Sequence, residues 1–169
     1  MDPILDKARA AQNALERLMN AIPGFKGYRE RELRRDADRL QREYLAARLD
    51  DAKKSLNQVA AALTRGGDLE VINDVETARK RLDRVANRIR YAERGYSGFF
   101  DAVKVDEGML GRVYQFDMGL IEDVDGIRAA GTAAVGADPA RPALQDLIGR
   151  VDALDARLSD REAVLRGIR

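Results

Sequence analysis

Apolar residues recur along the chain at alternating steps of four and three: Val71, Val75, Ala78, Leu82, Val85, Ile89, Ala92 and Tyr96 form one unbroken series. Side chains at that spacing share one side of an α-helix of 3.6 residues per turn, and they are buried only if another helix packs on them. A chain built from such series folds as helices in mutual contact.

The other series divide the chain. Ile4, Ala8, Ala11, Leu15, Leu18 and Ile22 predict a first helix over about 3–21, with Asp2 as N-cap and Pro3 at the first helical position. Ile22-Pro23-Gly24-Phe25-Lys26-Gly27 ends it, because proline disfavours a helical residue before it and glycine tolerates positive φ. A second helix over about 28–65 carries Leu33, Ala37, Leu40 and Tyr44, then Leu45, Leu49, Ala52, Leu56, Val59 and Leu63. The register jumps by one at Tyr44-Leu45, which predicts a stutter with Arg48 at the crossing. Gly66-Gly67-Asp68 separates it from a third helix over about 69–94.

Residues 95–105 take no assignment. A fourth helix is expected over about 107–130, residues 132–141 read as a linker, and 142–169 read as a C-terminal amphipathic helix. The apolar line of that last helix, Leu147, Val151, Leu154, Leu158, Leu165 and Ile168, is interrupted by Arg161. The expected fold class is therefore all-α, an antiparallel helical bundle with coiled-coil-like heptad seams and about five helices. Residues 1–131 would form its core, with the first and fourth helices lying on a hairpin of the second and third.

Composition narrows the chemistry. Of 169 residues 35% are charged and 5% aromatic, and neither cysteine nor histidine occurs, so disulfides, thiol nucleophiles, Cys/His zinc sites and histidine-based triads are all excluded. Carboxylates remain, and alone they can bind hard cations or transfer protons. Gly66-Gly67 lacks the strand and spacing of a dinucleotide loop, no Gly-Lys-Ser/Thr triplet is present, and Ser97 has no histidine base. No catalytic residue, metal ligand or cofactor is expected.

The longest run without a charge, Ser55 to Thr64, is about half of what a bilayer requires. Met1-Asp2-Pro3-Ile4-Leu5-Asp6-Lys7 is acidic where a signal peptide is basic, so no transmembrane segment and a cytoplasmic setting are expected. Arginine far outnumbers lysine and alanine is abundant, as in proteins of GC-rich bacteria.

Four features stand out as candidate sites. Arg79, Lys80, Arg81, Arg84, Arg88, Arg90 and Arg94 precede an acid-rich stretch over 101–125, and the two are expected to neutralise each other. The basic run at the start of the second helix is interleaved with Glu30, Glu32, Asp36 and Asp38, which argues against nucleic acid. Aromatics cluster over 91–116, and Tyr96, Phe99 and Phe100 are candidate interaction residues, with Gly119 on a shared face of Gly108 and Gly126. Asp117 falls in the middle of the apolar stripe of the fourth helix and needs a cation, for which Arg48 is the candidate.

These features are those of a non-catalytic helical-bundle protein for protein–protein interaction or scaffolding, binding a protein partner or itself. The alternatives are a peripheral membrane-surface protein using an amphipathic helix, and a carboxylate-metal enzyme.

Overall fold

The computed structural model describes residues 3–30, 34–63, 68–92 and 107–167, which form five helices: α1 (Pro3–Ala21), α2 (Arg34–Leu63), α3 (Leu69–Arg90), α4 (Glu107–Ala134) and α5 (Arg141–Gly167). Among the described residues there is no strand. Asp68 caps α3 by accepting from the Glu70 N–H at 2.9 Å, and Arg42 of α2 donates to the Arg90 carbonyl at its other end.

Helices α2, α3, α5 and α4 form a ring of four, each packed on the next, and α1 lies outside it against α4. The hairpin α2–α3 is antiparallel, as the pairs Lys53–Asp83 and Arg90–Asp50 require. α4 and α5 are antiparallel as well, with Arg157 on Asp123 and Arg161 on Asp117. The two hairpins meet side by side in the same sense: Arg81–Asp152 and Arg88–Glu162 climb α3 and α5 together, and Arg48–Asp125 and Arg128–Asp51 climb α2 and α4. α3 and α4, consecutive in the chain, are therefore diagonal.

That diagonal placement decides where the charges go. The basic residues of α3 meet acids of α5 and α2, and the acids of α4 meet Arg17, Arg48 and Arg157. The expected neutralisation between the basic stretch over 79–94 and the acids of 101–125 does not occur between the described residues, because their helices are not neighbours.

Several expected boundaries shift. α2 begins at Arg34 instead of residue 28, and Pro23 with Gly24 and Gly27, both at positive φ, keeps 22–30 outside any helix. α4 runs on to Ala134, so the connection expected at 132–141 shrinks to 135–140. α5 is no appendage either: Leu144, Leu147, Val151, Leu154 and Leu158 belong to the same core as Leu82, Val85, Leu120 and Ile127. The hairpin carries α4 and α5, whereas α1 touches the ring through α4. Ile4 and Ala8 of the expected α1 seam are exposed, and the buried line is Ala14 and Leu18 with Ala11, Leu15 and Ala21 at its margin.

The seam of α2 differs most from its apolar pattern. Its buried line is Arg34, Asp38, Gln41, Leu45, Leu49, Ala52, Leu56 and Val59, in steps of three and four, with Ala37 and Ala46 buried beside it. The line takes two successive steps of four, Gln41 to Leu45 to Leu49, so the expected stutter is present, with polar residues carrying the line up to it.

Candidate functional site

Asp117 and Arg161 each interrupt an otherwise apolar face, one on α4 and one on α5, and the antiparallel packing brings them level. Arg161 Nε donates to Asp117 Oδ1 at 2.8 Å, with Asp117 0% and Arg161 5% exposed. Arg48, the expected partner, sits two turns further along α2. It pairs with Asp125 at 3.0 Å and lies 4.6 Å over the Tyr44 ring. The buried line passes through Leu45 and Leu49, which keeps Arg48 beside the core.

Tyr28 completes the shell of Asp117. Its hydroxyl donates to Asp117 Oδ2 at 2.8 Å and also reaches Gln41 Oε1. The backbone around Tyr28 is held too: its N–H donates to Tyr114 Oη at 2.9 Å, and its carbonyl accepts from Arg34 Nε at 2.6 Å. The Tyr28 ring stacks on Tyr114 with centroids 5.6 Å apart and meets Phe25 edge-on at 5.4 Å. A glycine before it makes this possible. At Gly27 φ is +86°, and a Cβ would stand 2.8 Å from Tyr114 Oη and 3.1 Å from Leu15 Cδ1.

Asp38 extends the cluster by one turn of α2. Arg42 Nε donates to its Oδ2 at 2.8 Å, and Arg161 Nη2 lies 4.0 Å from its Oδ1, an ion pair without a hydrogen bond. Burial raises the Asp38 carboxyl above its ordinary value; Arg161 and Arg42 oppose that rise and Asp117 adds to it. Burial, and then the charge of Asp117, push the Tyr28 hydroxyl well above the usual tyrosine range.

A cleft opens beside this cluster, lined by Asp38, Gln41, Arg42, Arg88, Arg161 and Glu162 over an apolar floor that includes Leu45, Ile89 and Leu158. Its volume open to the centre of a water-sized sphere is about 20 Å³, enough for roughly one water molecule. Such a water can accept from Gln41 Nε2 and donate to Asp38 Oδ1. Both acids are held by guanidinium groups, and among the described residues no three acidic side chains converge as a cation site would require. The cluster braces the bundle: it ties the 22–30 segment, α2, α4 and α5 to one another.

Two other expectations resolve differently. Tyr96, Phe99 and Phe100 lie outside the described residues. Gly119 faces α5, where a Cβ would meet Arg157 Nη1 at 2.7 Å, and Gly126 similarly faces Arg150 Nη1 at 3.2 Å. Arginine tips cover that glycine face, so it is not a backbone contact. Close approach occurs at Gly111 instead, where a Cβ would stand 2.7 Å from Ala11 Cβ of α1.

No protein-family model matches the chain, and neither a curated protein nor a solved structure matches it. No helix is long and apolar enough to cross a membrane among the described residues.

Proposed function

We infer that the chain is a non-catalytic helical-bundle protein that acts by binding another protein, and that the outward flank of α1 is the binding face. The observation carrying this reading is the division of labour between the ring and α1. Interior polar groups are used in bracing, and the ring is cross-linked by ion pairs, whereas α1 makes its main contacts with α4 and leaves three large apolar side chains, Ile4, Leu5 (57%) and Met19 (47%), exposed; those of α3, Leu69, Ile72 and Tyr91, lie towards its ends. Exposed large apolar side chains on a peripheral helix favour protein contact. A chain without histidine or cysteine, and with a cleft of about one water molecule, suits binding better than catalysis. Its charge-rich, cysteine-free composition fits a bacterial cytoplasm.

Lipid is the competing partner for such a flank. Asp6 and Glu16 are among the exposed residues of α1, and acids on an exposed helix disfavour an anionic bilayer.

The test compares the full chain with a Leu5→Glu/Met19→Glu variant as baits in extract of the source organism. Circular dichroism first confirms equal helicity, since both positions are exposed. The reading requires at least one protein whose recovery falls about tenfold or more with the variant. Equal recovery of every captured protein, or α1-dependent pelleting with liposomes instead, defeats it.

A further inference from the structure

We propose that α1 is a self-association surface, on which the outward flank pairs antiparallel with the same flank of a second copy about an axis through Gln12. This rests on the protein-binding reading and names its partner. At 100° per residue, Leu5, Ala8, Arg9, Gln12, Glu16 and Met19 fall within an arc of roughly 100°, and all six are exposed. Their spacing follows the three-and-four rule of helix pairing, displaced to one side of the line that packs on α4.

The order of residues along this arc is close to palindromic. Leu5 stands seven residues before Gln12 and Met19 seven after it, so a two-fold axis at Gln12 sets Leu5 of each copy against Met19 of the other. Arg9 stands three residues before Gln12 and Glu16 four after it, which brings Arg9 of one copy beside Glu16 of the other, twice per dimer. A parallel pairing would instead oppose Arg9 to Arg9 and Glu16 to Glu16. One self-complementary patch meeting its own image is the ordinary form of a two-fold interface.

Arg17 on the same helix forms a 2.7 Å ion pair with Glu122, whereas Asp6, Lys7, Arg9 and Glu16 have no ion pair with the described residues, and of these four Arg9 and Glu16 lie on the arc. The flank that exposes Leu5 and Met19 thus carries one base and one acid without a partner among the described residues.

The patch is a single helix face of 15 residues, roughly 22 Å long, which sets the association in the weak, transient class with a dissociation constant of about 10 µM to 1 mM. Sedimentation equilibrium of the full chain over that range should show the mean mass rising above 18.8 kDa. Arg9→Glu and Glu16→Arg should each weaken association about tenfold, since each reversal acts at two symmetric contacts. Mixing the two single variants, or combining both changes in one chain, should restore it. Because the chain has no cysteine, register is testable directly: Leu5→Cys mixed with Met19→Cys should form a disulfide-linked heterodimer on oxidation. A mean mass that stays at one chain through 1 mM overturns the proposal, as does a Leu5→Cys protein that links only to itself. If the mass stays monomeric while extract capture still depends on Leu5 and Met19, the self-association proposal fails and the binding reading stands.

Discussion

Arg161 of α5 and Asp117 of α4, forty-four residues apart, form a buried ion pair at 2.8 Å that joins the last helix to the centre of the bundle. Each of them breaks an apolar seam, and each is the reason the other is tolerated. Taking either charge away leaves the other buried without compensation, which typically costs about 3–5 kcal/mol, while an apolar pair of similar size is often nearly neutral.

Asp117→Ala should therefore lower unfolding free energy by about 3–5 kcal/mol, measured by urea denaturation. Asp117→Leu combined with Arg161→Met should recover most of that loss. A single variant as stable as wild type would show that Arg161 finds another carboxylate, such as Asp38 at 4.0 Å.

Tyr28→Phe keeps the ring stack on Tyr114 and removes only the hydroxyl that donates to Asp117. A hydrogen bond to a charged group contributes about 1.5–3 kcal/mol, and a loss of that size is expected. Tyr28→Ala should cost more, because it also opens a cavity beneath Phe25 and Tyr114. A Tyr28→Phe variant as stable as wild type would mean that the hydroxyl bond adds nothing.

Asp38 gives a pH signature. Its folded-state carboxyl titrates above the ordinary carboxylate value, chiefly through burial, so the folded state holds the proton at a pH where the unfolded chain has released it. Its favourable contribution is complete below the unfolded value and is lost as pH rises through the raised folded value. Wild type should thus lose stability relative to Asp38→Asn across that window, and the gap should close on acidification. Melting temperatures of both proteins from pH 7 down to pH 4 provide the measurement; parallel curves would rule out Asp38 as the source.

How much of this was legible in the sequence is clearest at the seams. The periodicities of α3, α4 and α5 mark their buried faces, because there the seam and the apolar pattern coincide apart from one charge in α4 and one in α5. In α2 they part company: of the expected Ala37, Leu40 and Tyr44 only Ala37 is buried, Leu40 and Tyr44 lie at the margin, and the buried line passes through Arg34, Asp38 and Gln41. Apolar periodicity cannot find polar residues that are buried only because remote groups satisfy them. One signal was present: Asp117 and Arg161 are seam breaks of opposite sign on consecutive helices. Tyr28 carried no comparable mark, since its burial depends on a non-helical segment folding back against Tyr114.

Two glycines of α4 should respond in opposite ways to the same change. Gly111→Ala places a methyl 2.7 Å from Ala11 Cβ, a rigid atom, and should lift α1 from α4 at a cost of about 1–3 kcal/mol. Gly119→Ala meets only the mobile end of Arg157, so helix propensity should dominate and leave the protein unchanged or up to about 1 kcal/mol more stable. Limited proteolysis within residues 3–21 would report α1 release in the first variant, and indistinguishable variants would contradict the helix contact at Gly111.

Removal of α5 should abolish cooperative unfolding. A chain ending at Gly136 loses Leu144, Leu147, Val151, Leu154 and Leu158, and each fully buried aliphatic side chain contributes about 1.5–3 kcal/mol. A sharp thermal transition in that shortened chain would show that α2, α3 and α4 suffice.

The stacked pair of Tyr28 and Tyr114 also makes the protein its own optical probe. No tryptophan masks the phenol bands, and burial raises both hydroxyls above the ordinary tyrosine range. Tyr91 is exposed and Tyr44 half-buried. In an alkaline jump, ultraviolet absorbance should therefore rise in two stages, an immediate one from accessible phenols and a delayed one whose rate times the opening of the bundle around Asp117.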